Sequence, residues 1–123
     1  MNKEKYHIIN HNDLKIIRYV NEFWFSQKTI AVILGVKSHT INWHIKEIES
    51  INSNFKNLEF RTTQIEGNRE ISRNIKHYPL EILFDISMRC NKLDDFNDIV
   101  KHLNERYEVN LDFQVRPIKE RNF

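Results

Sequence analysis

The sequence predicts an α+β fold, and three observations predict it. Two short helical segments meet at Gly35, two strand-like runs flank Gly67-Asn68, and apolar residues from Leu93 to Tyr107 recur at the helical period. A chain of 123 residues suits one core, since two independent halves would each be marginal. With 40% hydrophobic and 29% charged residues and only 2 Gly and 2 Pro, disordered, collagenous and low-complexity classes are excluded. The longest apolar run, Ile30 to Leu34, falls far short of the roughly 20 residues that cross a bilayer, so no membrane partner is expected. Met1 to Lys5 leads into no apolar signal segment. Cys90 is the single cysteine, which permits neither an internal disulfide nor a thiolate metal cluster, and a reducing, cytoplasmic setting is expected.

In chain order, Tyr6 to Tyr19 holds the β-branched runs Ile8-Ile9 and Ile16-Ile17 around His11-Asn12-Asp13. This pattern fits a hairpin, while Leu14, Ile17 and Val20 equally fit a helix over 13–23. Ser26 is a helix cap, with Phe25 and Ile30 placed to close a hydrophobic staple across it. That helix stops at Gly35, where a left-handed residue costs least. A second helix runs from Ser38 to about Ser50, with Ile41, Ile45 and Ile48 along one side.

Phe60 to Tyr78 reads as two strands, and a two-residue loop at Gly67-Asn68 sets Glu66 opposite Arg69 and Phe60 opposite Ile75. Pro79 suits the first turn of a third helix that buries Leu80, Leu83, Phe84 and Ile86 and breaks at Cys90-Asn91. A fourth helix starts near Asn91, with Asp94 and Asp95 in its positive-dipole first turn. Its apolar stripe is Leu93, Phe96, Ile99, Val100, Leu103 and Tyr107. Val109, Leu111, Phe113 and Val115 then alternate with polar residues up to Pro117, a strand pattern in need of a partner. The organisation expected is thus a domain over 1–107 and a C-terminal strand or tail over 108–123.

Two helices joined at Gly35 and followed by a hairpin are the parts of a winged helix-turn-helix, here with two C-terminal helices added, in which the second helix enters the DNA major groove. At about 100° per residue, Ile45 and Ile48 fall within about 40° of Ile41, and His39, Asn42, Trp43 and Lys46 face the other way. Asn can bond adenine at two points, Trp can lie against a thymine methyl, and Lys can neutralise a phosphate. No acidic residue occurs from Gly35 to Lys46. Net charge is only +2, yet residues 1–78 hold 12 Lys and Arg against 8 Asp and Glu, whereas 79–123 hold 7 against 9. The expected DNA contacts are Gln27, Lys37, Ser38, His39, Thr40, Asn42, Trp43 and Lys46 on the helix pair, and Asn68, Arg69 and Arg73 in the hairpin.

Each residue also has a plainer reading. Trp43 belongs to the core if the helix is rotated or a C-terminal helix covers it, and Arg69 can simply pair with Glu66 across the hairpin. His44 suits a partly buried structural role, and Cys90 that of a small buried hydrophobe. Helix-start charge accounts for Asp94 and Asp95, so Asp94, Asp95 and Asp98 are not expected to bind metal, and no cofactor is expected.

These residues resemble the RhuM family of bacterial virulence-island and mobile-element proteins. Trp24-Phe25-Ser26-Gln27 and the run Gly35-Val36-Lys37-Ser38-His39-Thr40-Ile41-Asn42-Trp43-His44-Ile45-Lys46 are similar to that family's W-L-T-Q and G-V-S-R-S-T-I-S-R-H-I-K. Gln64 to Ile75 with Tyr78 is similar to its Q-x-E-G-x-R-E-V-x-R-x-I-x-x-Y hairpin. The likeness spans roughly 23–107. It departs where Asn42-Trp43 replaces Ser-Arg and where Ser87-Met88-Arg89-Cys90-Asn91 stands for a longer family stretch.

The resemblance implies a DNA-binding domain. The expected function is therefore sequence-specific binding of double-stranded DNA by a transcriptional regulator of a phage, plasmid or genomic island. A homodimer is expected, with the Val109–Val115 strand or the Leu93–Tyr107 stripe as its seam. The alternative is a protein-interaction module that docks a partner through Trp43, Asn42 and His39. No enzyme is expected and no small-molecule substrate, since no nucleophile-base pair, phosphate loop or paired-ligand motif is present.

Overall fold

A computed structural model of the chain describes residues 6–11, 14–52 and 55–107. Among these the order is β1 (His7–His11), β2 (Leu14–Tyr19), β3 (Glu22–Ser26), α1 (Gln27–Leu34), α2 (Ser38–Ile51), β4 (Leu58–Glu66), β5 (Arg69–Pro79), α3 (Leu80–Arg89) and α4 (Leu93–Tyr107). The fold is α+β, with an antiparallel sheet ordered β1-β2-β3-β5-β4. The helix pair α1–α2 is therefore inserted between β3 and β5, which lie side by side.

β1 and β2 pair antiparallel as the hairpin, and the alternative of a helix over 13–23 does not hold for the described residues. β3 has no counterpart among the expected elements. Its residues Phe23, Trp24 and Phe25 are all buried, so the strand lacks the alternation that marks a half-exposed one. It is reached through the two-residue turn Val20-Asn21, where Tyr19 pairs with Glu22 and both turn residues have positive φ, 51° and 61°.

The sheet packs a different core on each face. Phe23, Phe25, Ile9, Ile16 and Tyr78 join Ile30, Leu34, Ile41, Leu83 and Phe96 of the helices. Trp24 points the other way, to Ile17 and Phe60, with Tyr6 and Tyr19 packed against them. The sheet curls to make this second cluster. Tyr6 and Tyr19 meet the Phe60 ring edge-on at 5.1 and 5.5 Å, and the Tyr6 hydroxyl donates to the Arg61 carbonyl. His77, 3% exposed, closes the cluster with its ring 5.3 Å from Phe60. Burial holds its imidazole below the usual pKa of 6.5.

The β4–β5 hairpin keeps one register throughout, with Phe60 opposite Ile75 and Glu66 opposite Arg69 as expected. Pro79 ends β5 and caps α3 instead of lying in its first turn. Leu80, Leu83 and Ile86 are buried as expected, with Ile82 and Ser87 added, whereas Phe84 is half-buried with its ring 5.3 Å from Phe96. Cys90 is half-buried against the helical core, and desolvation pushes its thiol pKa up.

On α4, Phe96, Ile99, Val100 and Leu103 are buried in that same core, where α4 packs on α1 and α3. This corrects one expectation: these four residues of the stripe are consumed within the chain and are not free as a dimer seam. The strand expected over 109–115 lies outside the described residues. None of the described helices is long and apolar enough to cross a membrane.

Candidate nucleic-acid interface

The helix pair is fixed at three points. Ser26 Oγ accepts the Thr29 N–H at 3.1 Å and caps α1. Gly35, at φ 67°, closes its other end: Gly35 N–H reaches Val32 O at 3.2 Å and Val36 N–H reaches Ala31 O at 2.9 Å, the paired bonds of a Schellman turn. Gln27 Nε2 then donates to Ser38 O at 3.1 Å and to Ser38 Oγ at 3.0 Å, joining the first residue of α1 to that of α2.

Seen end on, α2 has two unlike sides. Ile41, Ile45 and Ile48 are buried, while His39 and Lys46 are exposed, Asn42 is half-buried and Trp43 is 57% exposed. The alternative of a core Trp43 is thereby decided for the solvent side. Lys37 and Ser38 are exposed at the helix start and Thr40 is half-buried. His44 is half-buried on the flank, its Nδ1 without a hydrogen-bond partner. Desolvation, helped by the Arg89 guanidinium, lowers its pKa. That agrees with a structural histidine.

Beside this face a groove of about 460 Å³ runs between α2 and β5. Its walls carry Lys28 from α1, Asn42, Lys46 and Glu49 from α2, and Lys76 from β5. Glu49 lies close enough to Tyr78 that, after desolvation, its charge is the second cause raising the phenol pKa. The groove joins Gln27, Ser38, Asn42 and Lys46 of the expected contacts. It also holds Lys28 and Lys76, which sequence reasoning did not single out. A signal for Lys76 was present: it stands two residues before the core residue Tyr78, so strand alternation puts it on the helix side of the sheet.

The expected hairpin contacts lie apart from this groove. Asn68 and Arg69 are exposed at the tip. Arg73 Nη2 donates to Glu66 Oε1 at 3.1 Å and lies 3.0 Å from Oε2, so the ion pair of Glu66 is with Arg73 and not with its register partner Arg69. Comparison with known proteins finds no matching family model, no matching curated protein and no matching solved structure, so the likeness to the RhuM family rests on the motifs quoted above.

Proposed function

We propose that this chain is a sequence-specific double-stranded-DNA-binding protein that uses α1–α2 as a helix-turn-helix and β4–β5 as its wing, and that it regulates transcription within a mobile genetic element. The observation that carries the reading is the exposed Trp43, flanked by His39, Asn42 and Lys46 on a helix whose opposite side is anchored by three buried isoleucines. The indole packs edge-on against His44 at 5.0 Å and still presents most of its surface outward. An amide, an imidazole and an ammonium around it match the base edges and phosphates of a major groove better than an apolar protein pocket. The short rod of α2, 14 residues long, fits that groove in length. Two copies addressing two half-sites would explain how so small a reading head gains selectivity.

The test is selection of binding sites from randomised duplex by the full chain, read by sequencing and followed by affinity measurements across a salt series. Enrichment of a defined site, with affinity falling steeply as salt rises, is the expected result. No retained duplex, together with a stoichiometric protein partner whose binding is abolished by Trp43→Ala, would instead establish the protein-interaction alternative.

A further inference from the structure

We infer that the groove between α2 and β5 seats the phosphodiester backbone of duplex DNA on Lys28, Lys46 and Lys76, and that the hairpin meets DNA through the face bearing Lys76, Asn74 and Arg61 and not through Arg69 and Arg73. The inference rests on the DNA-binding reading and adds which residues hold the backbone and which side of the wing is turned to it.

Three ammonium groups from three separate elements line one concavity with the carboxylate of Glu49, while Glu59, the register partner of Lys76, and Glu70 share the Lys76 side of the hairpin. None of the three lysines makes an ion pair among the described residues. Like charges gathered in a cleft repel one another and focus a positive potential there, which an entering anion relieves. Asn42 and Lys46 belong both to the wall of this groove and to the outer side of α2. A strand backbone lying in the groove therefore runs directly beside the base edges that Asn42 and Trp43 would touch. Lysine suits that task, being a compact charge with no demand for planar geometry.

Strand parity decides the hairpin face. The β4–β5 register is unbroken from Leu58 opposite His77 to Glu66 opposite Arg69, so no bulge swaps the two sides. Ile75 and Lys76 both border the groove, and it is the shared parity with the core residue Tyr78 that puts Lys76 on the helix side of the sheet. Asn74 and its partner Arg61 therefore share its face, and the Arg61 Nη1 to Asn74 Oδ1 contact of 3.4 Å joins them there. Arg69 and Arg73 stand an odd number of residues from Lys76 and fall on the reverse face, where Arg73 is already held by Glu66. The two arginines that look most like wing contacts in the sequence are the two that point away.

The experiment measures affinity of the full chain for one duplex between about 50 and 200 mM salt, comparing wild type with Lys28→Gln/Lys76→Gln and with Arg69→Gln/Arg73→Gln. All four side chains are exposed, and thermal melting checks that both variants fold. The lysine pair should flatten the salt slope by about 1.8, or about 0.9 per lost phosphate contact, so that affinity falls about 12-fold less across that range. The arginine pair should keep the wild-type slope. Each variant should retain the wild-type ratio of specific to random affinity, because backbone contacts carry no base information. An unchanged slope in the lysine pair, or flattening in the arginine pair instead, overturns this inference while leaving DNA binding standing. A wild type that binds no duplex overturns both.

Discussion

Gln27 donates from a single amide nitrogen to both the carbonyl and the hydroxyl of Ser38, eleven residues on, and so fixes where α2 begins relative to α1. A helix pair that must present a side chain to within hydrogen-bond tolerance needs such a clasp, since the turn at Gly35 alone leaves the crossing angle to packing. Gln27→Ala should lower stability by about 0.5–1.5 kcal/mol, the usual range for a lost hydrogen bond, read as a lower urea midpoint at unchanged m.

Trp43→Ala separates recognition from folding. The side chain is 57% exposed, so the melting temperature should hardly move, a surface substitution staying within about 0.5 kcal/mol. Discrimination between the selected site and random duplex should fall by about 1–3 kcal/mol, measured by competition binding. A large drop in melting temperature with selectivity intact would mean that the indole serves packing.

Val20 opens the β2–β3 turn at φ 51°, a conformation that β-branched residues resist, yet its side chain is 62% exposed and gains little from burial there. Val20→Asn keeps the backbone and removes the strain, since asparagine accepts the left-handed region. Stability should rise by about 1 kcal/mol, or about 3–5 °C in melting temperature by differential scanning calorimetry.

Acid should weaken the fold through His77. Burial lowers its folded pKa below the unfolded value of 6.5, so between the two the unfolded chain binds more protons. Stability contributed by the neutral ring is complete above about pH 6.5 and is lost as pH falls towards the folded pKa. His44 is depressed in the same sense and adds to the slope. Melting curves from pH 7.5 to 5 should show the decline, and His77→Leu should flatten it whatever its effect on absolute stability.

How much of this was legible in the sequence follows from what is local. Ser26, Gly35 and Gly67-Asn68 mark helix and hairpin boundaries by backbone chemistry that needs no neighbour, and the structure places caps and turns there. The split of α2 into an isoleucine side and a Trp43 side follows from 3.6-residue periodicity alone. β3 was not legible, because a strand buried on both faces has no period to detect, and its pairing with β5 spans more than fifty residues. Two of the groove lysines escaped for the same reason: Lys28 and Lys76 are distant in sequence, and Lys76 joins Lys28 and Lys46 only through that pairing. The two arginines of the hairpin were conspicuous by type, but only the register tells which way they turn.

The pairing of Phe25 with Tyr78 also bears on how the chain reaches this state. Neither cluster of side chains is complete until the early three-stranded unit finds the late hairpin, and a loop of about fifty residues must close before that contact repays its entropy. That contact is therefore the step at which distant segments must meet, whereas each helix winds locally.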